Sequence, residues 1–210
     1  MVTSYIRIRS VADRLAAVAA LVVALPVLAV VSATILATMG RPLFFTQTRI
    51  GANGIPFKIL KFRTMVVDAE IIGQGYMPAE LNLIPPLGKL LRRSSLDEIP
   101  QLINIARGEM AFVGPRPALP EQFVRYSARQ ARRVTVPQGV TGLAQVRYRN
   151  NATWSVRIEA DLEYVDSICF WTDVRILAKT VGKVIRSDNV ALDQTRTDVD
   201  DLSRPDQVRD

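Results

Sequence analysis

The chain contains no histidine and a single cysteine, Cys169. Without histidine there can be no Ser-His-Asp triad, no Cys-His pair, no His-ligated zinc and no imidazole general base. One cysteine excludes an intrachain disulfide and a thiolate cluster, as suits a chain facing a reducing cytosol. Ionic chemistry is left to Asp, Glu, Lys, Arg, Tyr and Ser, and a participating metal would be a hard cation held by oxygen, such as Mg²⁺. Acid is also in short supply, with 20 Asp and Glu against 27 Lys and Arg in 210 residues. That balance favours a polyanionic partner: phosphates, nucleic acid or an anionic lipid surface. Charge alone does not choose among them. The length suits one domain with a core.

Charge is missing altogether from residues 15–39, LAAVAALVVALPVLAVVSATILATM. The stretch exceeds the ~20 residues that cross a bilayer core and the roughly 7–15 of a signal-peptide apolar region. Pro26 removes one backbone hydrogen bond and crowds the preceding turn, so a bend or break is expected near Leu25 and Pro26. Both flanks are basic, with Arg7, Arg9 and Arg14 before the run and Arg41, Arg49, Lys58, Lys61 and Arg63 after it. A simple span should be asymmetric in this respect. A helix–break–helix that enters and leaves by the cytoplasmic face accommodates both flanks. An ordinary kinked span is the alternative, and these residues do not decide between them.

Beyond Gly40, residues 43–47 read as a short strand and Gly51-Ala52-Asn53-Gly54 as a turn. Alternation from Ile59 to Arg63 places Lys61 and Arg63 on one face of a second strand, so a hairpin is expected. Residues 66–86, with Gly73, Gly75, Pro78, Pro85 and Pro86, read as an irregular loop. Helical segments follow, Gly88–Arg93 leading into Ser94–Arg107, and then 153–186, the last interrupted near Ser167. Its second half pairs Phe170, Trp171, Val174, Leu177 and Val181 with Arg175, Lys179 and Lys183. Such a helix can lie in a headgroup layer or pack on a core. The fold class expected is α/β, mainly helical with a small β-hairpin. Residues 1–41 form the membrane segment, 42–186 a catalytic domain and 187–210 a flexible acidic tail.

The most informative stretch is residues 92–117, RRSSLDEIPQLINIARGEMAFVGPRP. Ser95, Asp97 and Glu98 can be read as a capping box. Pro100 suits the first turn of a helix, which would put Asp97 and Glu98 at its positive end, with Arg92 and Arg93 upstream to hold a phosphate. The prolines around Arg116 restrict its backbone and pre-aim its guanidinium, unless the segment is merely a turn with a solvated arginine. With Lys61, Arg63 and Arg149 it could complete a basic pocket for two phosphates.

In chain order these motifs resemble the monotopic phosphoglycosyl transferases, the bacterial sugar transferases that start glycan assembly on undecaprenyl phosphate. The resemblance covers roughly residues 10–186. Besides the proline-interrupted membrane segment and the stretch from Arg92 to Glu98, it rests on Gln47-Thr48-Arg49-Ile50-Gly51 and Lys61-Phe62-Arg63-Thr64-Met65. Further along it rests on Gly108-Glu109-Met110, Gly114-Pro115-Arg116-Pro117, Gly139-Val140-Thr141-Gly142 with Ala144-Gln145-Val146, and Asp161 with Tyr164. Two departures stand out: Leu25 where the family often has Ser before the membrane proline, and Gln138-Gly139-Val140-Thr141-Gly142-Leu143 in place of Pro-Gly-Ile-Thr-Gly-Trp.

The resemblance implies a re-entrant helix broken at Pro26, at the cytoplasmic face of the bacterial inner membrane. It implies a catalytic Asp97–Glu98 dyad, with Asp97 as nucleophile and Mg²⁺ ligand and Glu98 as base or acceptor-positioning group. Lys61, Arg63, Arg92, Arg116 and Arg149 are the candidate phosphate-binding cations. The implied partners are a UDP-sugar, undecaprenyl phosphate and membrane lipid, with no nucleic acid. Two other classes are to be distinguished: a basic membrane-anchored interaction protein, indifferent to Asp97, and a glycosyltransferase releasing UDP rather than UMP.

Overall fold

The computed structural model describes residues 2–67, 69, 83–148, 152–185 and 200–202. Helix α1, Val2–Thr38, opens the chain and is free of glycine until Gly40 ends it with φ 70°. Pro26 lies inside this helix, not between two helices. The expected break is therefore a proline carried inside one helical element. Proline costs a single ladder bond, and the long helical segments on either side retain theirs. The helix also begins well before the apolar run: its first turns, carrying Arg7, Arg9, Asp13 and Arg14, are helical too.

The expected hairpin forms. Strands β1, Phe44–Ile50, and β2, Pro56–Phe62, pair antiparallel from Phe44↔Phe62 to Ile50↔Pro56. Asn53 and Gly54, at φ 56° and 77°, make the turn. Helix α2, Pro86–Ser94, ends at Ser95, and α3 is Gln101–Arg107. The two helical segments expected over 88–107 part at Ser95, which takes a left-handed conformation with φ 58°. The loop expected over 66–86 lies mostly outside the described residues.

Strand β3, Ala111–Val113, pairs in parallel with β4, Gly139–Thr141, across the short helices α4, Pro120–Phe123, and α5, Ala128–Ala131. Helices α6, Leu143–Tyr148, α7, Trp154–Ser167, and α8, Phe170–Ile185, follow, with the break near Ser167 as expected.

Helix α1 contributes to three packed clusters along its length. Tyr5 and Ile6 lie on the core of Val113, Leu143, Tyr164 and Ile176, while Ala17 meets Ile59, Ile105 and Met110. Val31 and Ile35 meet Phe62 and Leu91. Between Ala17 and Val31 no residue of the helix is buried. The tail expected to be flexible lies largely outside the described residues, but Asp200 is gripped by the Arg125 guanidinium at 2.8 Å and Leu202 is buried beside Ile158 and Leu162.

Candidate active site

The link between α2 and α3 carries the two acids. Leu96–Glu98 forms a tight 3₁₀ turn, and the Ser95 side chain makes no capping bond, which disposes of the capping-box alternative. Leu96 is drawn into the Phe62–Leu91 cluster, so the turn is held from below. Asn104 fixes it laterally against β2. The Leu60 N–H donates to its Oδ1 at 3.0 Å, while its Nδ2 donates to the Lys58 carbonyl at 2.8 Å and to Glu109 at 2.7 Å. This fully buried amide extends the ladder of β2 sideways and brings Lys61 to the acidic turn.

There Lys61 Nζ donates to Glu98 Oε1 at 2.6 Å, and Arg116 Nη2 to the same oxygen at 3.1 Å. Burial by itself would raise the Glu98 carboxyl, but Lys61 and Arg116 together outweigh it and hold its pKa at about 2. Asp97 goes the other way. Burial pushes its pKa up to about 6, Lys61 pulls against that rise, Glu98 adds to it, and Arg92 and Arg116 pull against it more weakly. Only 8% of Asp97 is exposed, and among the described residues no hydrogen bond or ion pair ties down its carboxylate. Burial also lowers the Lys61 pKa, against the pull of Glu98.

The segment around Arg116 lies flush against residues 137–142. A Cβ on Gly114 would come within 2.2 Å of the Pro137 carbonyl oxygen, and one on Gly139 within 2.1 Å of the Gly114 nitrogen, so both positions require glycine. Four successive carbonyls are then bonded. Pro115 accepts from Gly139 N–H, Arg116 from the Arg133 guanidinium, Pro117 from Arg49 and Ala118 from Ile50 N–H. The constraint foreseen from the two prolines is reinforced by this set of donors.

Five of the expected residues thus converge: Asp97, Glu98, Lys61, Arg116 and Arg92. Arg92 donates from Nε to Thr64 Oγ1 at 2.8 Å. Arg63 is placed elsewhere, which corrects the expected pocket. Strand β2 ends at Phe62, and the Arg63 guanidinium donates to the Met39 and Gly40 carbonyls at 2.6 and 2.8 Å, closing the C-terminus of α1. Arg149 lies outside the described residues. Sequence reasoning missed Asn104 and Arg133. Arg133 bonds Asp161, which the motifs had marked without a role.

Among the described residues no three metal-ligating side chains converge. Among these residues a divalent cation held by protein alone does not fit. The untied Asp97 carboxylate does fit one ligand position of a cation whose other ligands are phosphate oxygens and water, the usual arrangement for Mg²⁺ at phosphate sites.

Lys61, Arg92 and Arg116 thus gather around a buried, untied Asp97 beside a charge-paired Glu98, and the fold sets them next to a long apolar helix. The family description "Bacterial sugar transferase" matches residues 4–187, and the chain belongs to that family. It is 42% identical over 152 residues, 72% of this chain and 74% of the relative, to the uncharacterized sugar transferase EpsL of Bacillus subtilis. It is 40% identical over 158 residues to the UDP-glucose:undecaprenyl-phosphate glucose-1-phosphate transferase of Caulobacter vibrioides, covering 70% of this chain and 58% of that one. The exopolysaccharide production protein ExoY of Sinorhizobium fredii is 34% identical over 190 residues, 83% of this chain and 84% of the relative. The chain thus spans little more than half of the Caulobacter protein and most of the other two.

Proposed function

We propose that this protein transfers a sugar 1-phosphate from a UDP-sugar to undecaprenyl phosphate through a covalent intermediate on Asp97, releasing UMP, as the first membrane step of a bacterial glycan. The observation that carries the reading is the contrast within the dyad. Glu98 is committed to two cations, while Asp97 is buried, untied and basic enough to attack yet ionised at neutral pH.

In the first transfer an Asp97 oxygen attacks the β-phosphorus, the bond from that phosphorus to the oxygen bridging the α-phosphate breaks, and UMP leaves with the electron pair. In the second, a phosphate oxygen of the lipid attacks the same phosphorus, the Asp97–phosphorus bond breaks, and the free carboxylate returns. Lys61, Arg92 and Arg116 offset the charge gathered in each in-line displacement. Mg²⁺, for which Asp97 would be the protein ligand, would supply further charge neutralisation on the leaving group. Glu98 is too weak a base, at a pKa of about 2, to collect a proton near neutrality. Its part is to hold Lys61 and Arg116 in place, and an anionic lipid phosphate needs no deprotonation.

The membrane reading is a protein seated on the cytoplasmic face of the inner membrane, with α1 re-entrant and not spanning. In support, both ends of α1 are tied to one folded body. Arg9 donates to Asp173 of α8 at 2.8 Å, and Arg63 closes the other end. A spanning helix would carry one end to the far side. The part without buried residues surrounds Pro26 and exposes Val18, Val22, Val23, Leu25, Val27 and Val30. Helix α8 exposes Phe170, Trp171, Val174, Leu177 and Val181 and suits the headgroup layer. A site at that depth receives a lipid-bound acceptor and a water-borne donor without moving either into the wrong solvent.

The test is intact-mass analysis of purified protein with Mg²⁺ and either UDP-glucose or UDP-galactose, without acceptor. The expected result is an adduct one hexose phosphate heavier and stoichiometric UMP, both absent in Asp97→Asn. An adduct that survives this substitution, or release of UDP in place of UMP, would overturn the reading.

A further inference from the structure

Arg116 meets the acidic turn from a half-exposed position. Its side chain is 47% exposed and, among the described residues, its hydrogen bonding is confined to Glu98. Packing therefore does not aim the guanidinium; the backbone from which it projects must. Three of the four bonded carbonyls in residues 115–118 are served by main-chain N–H groups or by Arg49, which lies on the adjoining hairpin. The carbonyl of Arg116 itself is served differently, by Arg133 Nη2 at 2.8 Å.

Arg133 is 5% exposed and its partner Asp161, on α7, 1%. Nη2 also donates to Asp161 Oδ2, and Nη1 donates to Tyr126 Oη at 2.7 Å. A buried ion pair is poor value as a fastener, since apolar side chains of similar volume usually hold segments together as well or better. What apolar groups cannot do is donate to a carbonyl. We propose that the Arg133–Asp161 pair is a positioning device for Arg116. It fixes the carbonyl of residue 116 and thereby the aim of the guanidinium that meets Glu98 and, on the function proposed above, the substrate diphosphate. Asp161 keeps Arg133 charged and oriented, Tyr126 fixes the second arm of its fork, and neither acid nor phenol touches substrate.

Arg133→Lys retains the charge beside Asp161 but loses the fork that serves carbonyl, carboxylate and phenol together. The expected outcome at saturating UDP-sugar is adduct formation slower by between about 10- and 100-fold, the scale of a small misplacement of a reacting group. The thermal midpoint should be nearly unchanged, and amide exchange in residues 114–118 should quicken. In an Arg116→Ala background the same substitution should change the rate less than about twofold, because residues acting as one unit are not additive. The proposal is overturned if Arg133→Lys keeps the wild-type rate, if exchange in 114–118 is unaltered, or if the losses multiply in the Arg116→Ala background. Should Arg133→Lys fail to fold, the double replacement Arg133→Met with Asp161→Leu decides. A folded, slow enzyme supports the pair as a positioning device; a folded enzyme at full rate, or a second failure to fold, shows a purely structural role. If wild-type protein forms no adduct with either sugar nucleotide, it is the donor or the reaction that is misassigned, and the exchange measurement still judges the positioning on its own.

Discussion

Two buried aspartates, both within reach of arginine, have been given opposite surroundings. Asp173, in the first turn of α8, is 5% exposed and fully served: Tyr164 Oη donates to Oδ1 at 2.7 Å, while Tyr5 Oη and Arg9 Nη1 donate to Oδ2 at 2.5 and 2.8 Å. Asp97 is 8% exposed and receives none among the described residues, although Lys61, Arg92 and Arg116 are close enough to act on its charge. A satisfied buried carboxylate joins segments, here the start of α1 to α7 and α8. A bare one costs stability and retains its lone pairs for another purpose, the pattern of a reactive group. Burial and net charge alone do not separate the two; the count of donors does.

The contrast breaks most sharply on substitution. Asp97→Asn should remove adduct formation altogether and leave the fold standing. Asp173→Ala should do the reverse, leaving buried Arg9 only its longer 3.7 Å contact to Asp13 and depriving the Tyr5 and Tyr164 hydroxyls of their short acceptor. The expected loss is about 3–5 kcal/mol of stability, read from denaturant unfolding in detergent, because removing one partner strands the other charge. The protein that remains folded should still form the adduct. If Asp173→Ala unfolds no more readily than wild type, the Tyr5–Arg9–Tyr164 network is not what holds α1 to the domain.

These neighbourhoods were unequally legible. The hairpin was readable because Gly51 to Gly54 punctuate two runs of strand-forming residues, and the dyad because its flanking motifs keep their order. The parallel pair β3–β4 was not, since three-residue strands are too short to show alternation. Residues 2–14 do not read as part of the helix, because Arg9 and Asp13 break the hydropathy, while Arg9 is held inside by Asp173 far along the chain and Asp13 pairs with Arg9. Alternation put Arg63 on the face of Lys61 but carried no information on where the strand would end, and one residue past that end its guanidinium turned to α1. Arg133 and Asp161 are 28 positions apart, and nothing local marks them as a pair.

A smaller effect sharpens the comparison through pH. On the proposed function Asp97 must be ionised to attack, so the second-order rate of adduct formation, which reports the free enzyme, should fall about tenfold per unit below roughly pH 6 and level off above pH 7. Glu98, held near 2, should leave no inflection in that range. A profile that is flat down to pH 4.5 would mean that Asp97 is not the desolvated group described here.

The smallest effect concerns stability and runs against the usual sense of a carboxylate. Most paired aspartates have a lowered pKa and stabilise the fold above it. Asp97 is raised from an ordinary 3.8 to about 6, so the folded protein binds its proton more tightly than the unfolded chain. Stability from this group is therefore present below about pH 4 and lost as pH rises through about 6, leaving the full penalty in force at pH 7. Asp97→Asn removes the charge with little change of shape. At pH 7 it should stabilise the protein by about 1–3 kcal/mol, a gain that fades as both proteins are compared at falling pH. Paired unfolding curves of wild type and Asp97→Asn at pH 7 and pH 4 measure the difference directly. An inactive variant no more stable at pH 7 than its parent would show that Asp97 finds donors after all, and that its likeness to Asp173 is closer than its geometry implies.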